Sequence, residues 1–175
     1  MGTVKWGILG AAKIAKEQVI PAMKKSKNTE LYAIASRDIS KAEDFCHKFA
    51  ITKAYDDYNK LISDPNIDAV YIPLPNHLHV PFSINSLKAG KHVLCEKPIS
   101  ITSDEIFELM QVQKETKKIV SEAFMVRFHP QWTETKKLIQ EGEIGKLNAI
   151  QGLFNYFNTD PNNIRNDVRI GGGGI

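Results

Sequence analysis

An acid and a base stand side by side where the segment HVLCEKPIS, residues 92–100, leaves an apolar run. The amine of Lys97 is able to exchange a proton with a substrate oxygen, and the carboxylate of Glu96 accepts hydrogen bonds. Pro98 restrains the backbone beside the lysine because its φ is fixed and it has no N–H. The structural alternative is a solvated ion pair at the end of a strand, without a chemical role.

A second polar segment, PLPNHLHVP at residues 73–81, also follows an apolar run. Taken singly, Asn76 fits a turn residue and His79 fits a cap of the following helix. In an open parallel α/β sheet, however, the loops at the carboxyl ends of the strands line a single crevice. We therefore expect Asn76, His77 and His79 to face the same cleft as the Glu-Lys pair, which favours a functional site.

The first turn, GILGAAKIA at residues 7–15, follows the dinucleotide-binding pattern G-x-G-x-x-G/A. Gly10 stands at the tight turn, Ala12 at the position beside the pyrophosphate and Ala15 at the position of close helix packing. Ala12 is a departure, because the pattern places glycine where the backbone approaches the phosphates. The segment lies between a predicted strand and a predicted helix, so the phosphates would rest on the helix N-terminus.

The second strand ends in AIASRD, residues 33–38, and these residues bear on the type of cofactor. An NAD site has a carboxylate about 20 residues past the glycine turn for the ribose hydroxyl, whereas an arginine suits the 2′-phosphate of NADP. Here Ser36 and Arg37 occupy the tip and Asp38 comes one residue late. This favours NADP, with an arginine on a solvated strand end as the structural alternative.

Short β-rich segments alternate with segments of helical period along residues 4–124. Strands are predicted at 4–9, 30–36, 52–55, 68–74, 92–96 and 118–124. Helices are predicted at 14–25, 40–49, 56–63, 80–89 and 103–116. This alternation requires crossover connections and therefore predicts an α/β fold with a doubly wound parallel sheet.

The rhythm changes after residue 124, which divides the chain into two predicted domains, 1–124 and 125–175. A helix is expected at 130–141, and KLNAIQGLFNYFNT, residues 146–159, alternates like a strand of a different sheet. The Gly-rich end RIGGGGI, residues 169–175, is typical of a turn.

Composition excludes several other classes. The chain has 175 residues, 42% apolar and 25% charged, which fits one globular domain with or without part of a second. Its net charge of +3 comes with scattered lysines, so no nucleic-acid partner is expected. Cys46 and Cys95 have neither metal-site spacing nor a disulfide framework. With no signal-peptide pattern or membrane-length apolar run, we predict a cytoplasmic chain without metal or membrane partner.

Five motifs, in order, carry a family resemblance: WGILGAAKIA, AIASRD, PNHLHVP, AGKHVLCEKP and EAFMVRFHPQ. Through essentially its whole length the chain resembles the Gfo/Idh/MocA oxidoreductases, the family of glucose-fructose oxidoreductase and inositol dehydrogenase. It is most similar to the branch with NADP-dependent dihydrodiol and D-xylose dehydrogenases. The resemblance implies a Rossmann-like doubly wound parallel sheet followed by the start of a truncated second α+β domain.

The resemblance also implies roles for individual residues. Lys97 is the expected catalytic residue, beside the nicotinamide and the substrate hydroxyl, where it transfers a proton as a hydride moves at the neighbouring carbon. Glu96 is expected to act through hydrogen bonding and charge, and Arg127 to contact cofactor or substrate, with a structural role as its alternative. The expected cofactor-binding residues are Gly10, Ala11, Ala12, Lys13, Ile14, Ser36, Arg37, Leu74, Pro75, Asn76, His79, Glu96 and Lys97.

The implied function is hydride transfer between NADP and a secondary alcohol or hemiacetal carbon of a sugar, polyol or cyclic diol. NAD is the alternative cofactor. The expected partners are a small carbohydrate or diol substrate and, by resemblance, a second copy of the chain in a homo-oligomer. Two other functions stay open: a nucleotide-binding module without catalysis, and an NAD-dependent glycosidase of the same family. Arg37 argues against the glycosidase, because tightly held NAD favours a carboxylate at that position.

Members of the family are about twice as long as this chain. Their second domain supplies an Asp followed shortly by a His or Tyr, just after a Gly-rich turn like RIGGGGI. The resemblance therefore implies that 125–175 holds only the beginning of that domain and that the second catalytic residue lies beyond Ile175. We also expect an exposed apolar edge at IQGLFNYF, residues 150–157, and a chain that binds a nicotinamide nucleotide but turns over poorly.

Overall fold

A parallel sheet of six strands forms the centre of the chain in the computed structural model, which describes residues 2–155, 157–160, 163, 166 and 167. The strands are β1 Val4–Leu9, β2 Thr29–Ala35, β3 Lys53–Tyr55, β4 Ala69–Ile72, β5 His92–Cys95 and β6 Val120–Glu122. Their order across the sheet is β3-β2-β1-β4-β5-β6, and every neighbouring pair is parallel. The predicted fold class is confirmed; β1 and β2 have the predicted lengths, whereas β3 to β6 are shorter than predicted.

Helices connect the strands and cover both faces of the sheet. The α-helices are α1 Ile20–Lys25, α2 Ile39–Phe49, α3 Tyr58–Ile62, α4 His79–Lys88, α5 Ser103–Thr116 and α6 Pro130–Gln140. A π-helical turn at Ala15–Val19 precedes α1, and 3₁₀ turns lie at Asn76–Leu78 and Met125–Phe128. Helices α1 and α2 contribute to one buried cluster, and α3, α4 and α5 contribute to the other. Helices on both faces make the sheet doubly wound.

The alternation of side chains along the central strands explains why the sheet is buried on both faces. In β1, Ile8 packs with α1 and α2 whereas its neighbour Leu9 packs with the opposite cluster. In β4, Tyr71 lies on the Ile8 side, and Val70 and Ile72 lie on the Leu9 side. All five are fully buried, as the continuous apolar runs of a parallel sheet require.

The first helix departs from the predicted period. The amide of Ile20 donates to the carbonyl of Ala15, five residues earlier, so the turn is wider than an α-turn. Ala15 and Ile20 are both fully buried. Residues five apart differ by about 140° in an α-helix, so only the wide turn places both on the buried face. The exposed residues between them, Lys16 to Gln18, hide this irregularity from a search for helical period.

The segment after residue 124 contains the predicted helix but not the predicted strand. Helix α6 agrees with the expectation of 130–141, and its Pro130 is the first helical residue. The strand predicted at 146–159 is wrong for the described residues of that range, which have no strand. An extended segment needs a neighbouring strand to bond its backbone groups, and no strand is described beside this one.

The apolar side chains of this segment are exposed, as predicted for IQGLFNYF. Ile150, Leu153, Phe154 and Phe157 are each more than 80% exposed. The turn RIGGGGI lies outside the described residues, and the boundary at residue 124 stays a prediction. Among the described residues, no helix combines the length and apolar character needed to cross a bilayer.

Candidate functional site

The carboxyl ends of β1, β2, β4 and β5 bring the predicted site residues to one edge of the sheet. The connection that leaves β1 runs to β2 on one side, whereas the connection that leaves the adjacent strand β4 runs to β5 on the other side. A crevice therefore opens outside the ends of β1 and β4. Gly10 follows β1, the Ser-Arg pair follows β2, Pro75 follows β4 and Glu96 follows β5. The topology thus assembles four segments that are far apart in sequence.

The turn after β1 is built on Gly10 for two reasons. Its φ of +113° lies in the region that side chains disfavour, and a Cβ atom there would lie 3.0 Å from the Cδ2 atom of Leu74. The Gly10 amide donates to the carbonyl of Ala35 at 2.9 Å, which ties the turn to the end of β2. The interpretation of Gly10 as the tight-turn residue therefore agrees with the structure.

The residues after Gly10 form the start of the helix that would meet the phosphates. Ala15 is fully buried against the sheet, as expected of the close-packing position. Ala11 and Ala12 are half-buried, whereas Lys13 and Ile14 are exposed. The first amides of a helix have no acceptor within it, so this turn offers donors to an anion. Contact between these residues and a cofactor stays a prediction.

The three residues that follow β2 differ in their contacts: Asp38 caps a helix, whereas Ser36 and Arg37 do not. The Asp38 carboxylate caps α2, accepting from the amide of Ser40 at 3.1 Å and from its hydroxyl at 2.6 Å. The hydrogen bonds from Ser40 hold the pKa of the Asp38 carboxyl below its usual value, with a smaller contribution from the charge of Lys41. Asp38 is therefore engaged as a helix cap.

Unlike the Asp38 carboxylate, the side chains of Arg37 and Ser36 still have hydrogen-bond donors for a ligand. Arg37 is exposed, and its guanidinium has no hydrogen bond or ion pair with any described residue. Ser36 is buried, and its hydroxyl oxygen accepts from the Asp38 amide at 3.3 Å. Since that contact uses only the oxygen, the Ser36 proton is still able to be donated. A dianion at this tip would meet a guanidinium and a hydroxyl donor.

His79 links the loop after β4 to the loop after β5. The side chain is 1% exposed, with Nε2 2.7 Å from the carbonyl oxygen of Leu74 and Nδ1 2.6 Å from that of Pro98. The alternative that His79 caps the following helix is wrong, because α4 has no side-chain cap. Its predicted contact with the cofactor stays a prediction. What the geometry gives is a buried ring within hydrogen-bond distance of a carbonyl in each of the two loops.

The loop between β4 and α4 contains the other residues predicted from PLPNHLHVP. Leu74 is buried beside Gly10, Pro75 and Asn76 are half-buried, and His77 is exposed. Asn76 opens the 3₁₀ turn, and its carbonyl accepts from the amide of His79. These residues thus lie at the crevice edge as expected, on the side of β1 opposite the Arg37 tip.

Glu96 is fixed by a buried partner that the sequence analysis missed. The Tyr71 hydroxyl donates to Oε1 of Glu96 at 2.7 Å, and Oε2 lies 3.4 Å from the amide of Lys97. Burial, followed by the neighbouring Glu96 carboxylate, raises the pKa of Tyr71 far above its usual value, so the phenol keeps its proton. The signal for this pair is a tyrosine inside an apolar run, since a buried hydroxyl needs a partner.

The turn that follows Glu96 contains Pro98 and makes one contact with the neighbouring strand. The peptide bond between Lys97 and Pro98 is cis. The amide of Ile99 donates to Oε1 of Glu122, the last residue of β6, at 2.9 Å. Glu122 was also missed, because nothing in its sequence context indicates a partner on the neighbouring strand. The chain on both sides of Lys97 is therefore held in place by side chains from other elements.

The Lys97 side chain itself is exposed and has no hydrogen bond or ion pair with the described residues. Arg127, on the 3₁₀ turn after β6, is likewise exposed and without such a partner in the described part of the chain. The predicted contact of Arg127 with cofactor or substrate stays a prediction, as does its structural alternative. No group of three metal-ligating side chains occurs among the described residues.

Comparison with known proteins extends these observations. Residues 4–124 match a family described as an oxidoreductase family with the NAD-binding Rossmann fold. Over 175 residues the chain is 47% identical to an uncharacterised oxidoreductase of Rhizobium meliloti, covering all of this chain and 52% of that protein. It is 38% identical over 171 residues to D-xylose 1-dehydrogenase (NADP(+)) 2 of Haloferax volcanii, covering 97% of this chain and 52% of that one.

Comparison with solved structures also finds similarity to a reductase. The crystal structure of KijD10, a 3-ketoreductase from Actinomadura kijaniata in complex with NADP and TDP-benzene, has a TM-score of 0.77 and 35% sequence identity. The match covers 81% of this chain and 43% of that one. The chain spans about half the length of the curated relatives it matches.

Proposed function

We propose that this chain, which belongs to the Gfo/Idh/MocA oxidoreductase family with its NAD-binding Rossmann fold, is the nucleotide-binding part of an NADP-dependent oxidoreductase. The proposed substrate is a carbonyl compound, or the corresponding secondary alcohol or hemiacetal, in a sugar, polyol or cyclic diol. Relatives that are named as a D-xylose dehydrogenase and a 3-ketoreductase support this substrate class.

The single observation that carries the choice of NADP is the arrangement at the end of β2. Asp38, the carboxylate of the Ser-Arg-Asp segment, is engaged as the cap of α2, while the Arg37 guanidinium is exposed and unpaired among the described residues. Oδ1 of Asp38 accepts both hydrogen bonds from Ser40 and Lys41 lies 3.7 Å from Oδ2, so both carboxylate oxygens already contact groups of α2. A planar guanidinium with a neighbouring hydroxyl donor suits a 2′-phosphate.

The groups at the other side of the crevice suit proton transfer. Bound NADPH would supply a hydride to the carbonyl carbon of the substrate. Lys97 would donate a proton to the carbonyl oxygen, which becomes the hydroxyl of the product, and would take it back in the oxidative direction. Glu96 would hold hydrogen-bond donors of the bound molecules, since its carboxylate is acceptor-only.

The choice of cofactor is tested by titrating the chain with NADPH and NADH and following nicotinamide fluorescence. We expect tighter binding of NADPH, because a charge-assisted pair to the phosphate contributes about 1.5–3 kcal/mol, which is about 10- to 150-fold in affinity. Arg37→Asp should remove this preference, because it places a carboxylate where the phosphate would lie.

Asp38→Asn is the matched control for that substitution. Asparagine is also a good helix cap, so this variant removes a charge next to Arg37 while keeping the end of α2. We expect Asp38→Asn to retain the preference for NADPH. Tighter binding of NADH by the unsubstituted chain, or an unchanged preference in Arg37→Asp, contradicts the proposal.

A further inference from the structure

Tyr71 lies in the middle of the sheet, yet its hydroxyl reaches the edge where the site is. In the β4–β5 ladder Tyr71 is paired with Leu94, and Ile72 with Cys95. The Glu96 amide donates to the carbonyl of Ile72 at 3.1 Å, which extends this pairing by one step. Because side chains alternate along a strand, Glu96 lies on the same face as Leu94 and is a diagonal neighbour of Tyr71.

The pair sets the direction of the Glu96 carboxylate. Tyr71 is fully buried in the α1 and α2 side of the core, so its ring cannot turn away without opening that core. Its single proton is donated to Oε1, and Oε2 is left on the side of the Lys97 amide. Glu96 is only half-buried, so without this anchor its side chain has other rotamers available.

We infer that Tyr71 is a positioning residue for the nicotinamide half of the cofactor site. The inference rests on the proposed function and adds a residue to it: the Tyr71 hydroxyl holds Glu96 in the rotamer that presents Oε2 at the carboxyl edge. β4 and β5 lie on the opposite side of β1 from the Arg37 tip, so Glu96 serves the half of a dinucleotide that does not carry the 2′-phosphate. A preset rotamer lowers the entropy lost on binding.

A similar pair elsewhere in the sheet provides the control. The Tyr55 hydroxyl donates to Oδ2 of Asp64 at 2.5 Å, and Asp64 is buried in the connection before β4. Tyr71→Phe and Tyr55→Phe each remove one hydroxyl that donates to a carboxylate and leave an isosteric ring. Both variants should therefore be less stable. Tyr55 contacts the Arg37 tip only through its backbone carbonyl, which accepts from the Ser36 amide at 3.0 Å and is kept in Tyr55→Phe, so only Tyr71→Phe changes a side chain that contacts a site residue.

The experiment measures dissociation constants for NADPH and for 2′,5′-ADP, which has the adenosine phosphates but no nicotinamide. For Tyr71→Phe we expect NADPH binding weaker by about three- to tenfold, the cost of ordering one long side chain. Binding of 2′,5′-ADP should stay within twofold. Tyr55→Phe should leave both constants within twofold while lowering the melting temperature.

Coupling between the two residues completes the test. Glu96→Gln should weaken NADPH binding, and adding Tyr71→Phe to it should have little further effect, because the second change then acts on a group already replaced. Additive effects, an unchanged NADPH constant in Tyr71→Phe, or equal weakening of NADPH and 2′,5′-ADP would each overturn the inference. Nucleotide binding by the unsubstituted chain is measured first: its absence refutes the proposed function, and this inference with it.

Discussion

Strand β5 has a lysine at each end, and the two are in opposite situations. Lys91 directly precedes the strand and is only 6% exposed; its amine donates to the carbonyls of Asp64 at 2.6 Å and Ile67 at 2.8 Å. Lys97 follows the strand, is exposed, and has no such partner among the described residues. Burial lowers the pKa of the Lys91 amine below its usual value, with nearby carboxylates acting against that shift.

The difference follows from the direction of the chain. In a parallel sheet with crossover helices, the segment before each strand packs against the rest of the domain. The loops after the strands border a crevice at the point where the strand order reverses. Lys91, which precedes β5, donates to backbone carbonyls of the connection that enters the neighbouring strand β4. Lys97, which follows β5, has no partner among the described residues, so the three N–H donors of its amine stay available to a bound molecule. The end of the strand, and not the residue type, separates a structural amine from one that is available for chemistry.

The largest effect that we predict is at Lys97. Relative to the rate of the unsubstituted chain, which we expect to be low, Lys97→Ala should lower NADPH-dependent turnover by about 10²- to 10⁴-fold, the usual contribution of a general acid or base. The dissociation constant of NADPH should change far less than the rate, because Lys97 is one of several expected cofactor-binding residues whereas its proton is needed in the chemical step. Steady-state kinetics with carbonyl sugars, together with fluorescence titration, separate the two quantities. A variant that keeps its rate would place the proton donor elsewhere.

The second prediction concerns the stability contribution of Lys91, the lysine that precedes β5. Lys91→Met removes the amine, which leaves the Ile67 carbonyl oxygen without its donor and the Asp64 carbonyl with only the Ile67 amide at 3.3 Å, so we expect the free energy of unfolding to fall by about 1–3 kcal/mol. Turnover and NADPH affinity of the folded molecules should be retained. Urea unfolding followed by fluorescence gives the stability. If Lys91→Met were as stable as the original chain, the contrast between the two ends would fail.

The third prediction concerns the pH dependence of the free energy of unfolding, to which Asp64 in the connection before β4 contributes. Burial opposes ionisation of Asp64, but hydrogen bonds from Tyr55, Asn66 and Lys53 outweigh it and hold the pKa of the carboxyl well below its usual range. Such a group contributes stability above its unfolded pKa of about 3.9 and loses it as the pH falls. The free energy of unfolding should therefore decrease from about pH 5 to pH 3. The decrease should be shallower in Asp64→Asn, and an equal slope would contradict this account.

The smallest predicted effect is at the cap beside the Arg37 tip. Asp38→Ala removes the acceptor for the Ser40 amide and should lower the melting temperature by about 2–4 °C. Asp38→Asn should lower it less, because asparagine also caps helices. Neither variant should lose the preference for NADPH over NADH. A loss of preference in both would mean that Asp38, and not only Arg37, contacts the nucleotide.

The alternation of apolar and helical segments was sufficient to predict the sheet and the edge at which the site lies. The shared edge for Gly10, Arg37 and Glu96 followed from strand direction alone, because carboxyl ends of parallel strands meet. The pairing of Tyr71 with Glu96 was not predictable in this way. It depends on the register between β4 and β5, and a four-residue apolar strand gives no pattern that fixes register.

Two other failures have different physical causes. Alternation at 146–159 indicated a strand, but a strand depends on a neighbour with which to exchange hydrogen bonds, and sequence pattern does not report the neighbour. The wide turn at Ala15–Val19 was missed because helical period assumes a constant angle per residue. In both cases the residue pattern itself was correct. It did not report the position of a neighbouring strand or a change in the angle per residue of the helix.

The wide turn has a consequence for the length of the chain. Its hydrogen-bonded ring between Ala15 and Ile20 contains one residue more than an α-turn, and the residues inside it are mostly solvated. Deleting Gln18 would bring the two buried residues to a spacing of four, which in an α-helix also places them on one face. This segment therefore has two permitted lengths, and related chains that differ here by a single-residue gap would keep the same anchors and the same start of the helix.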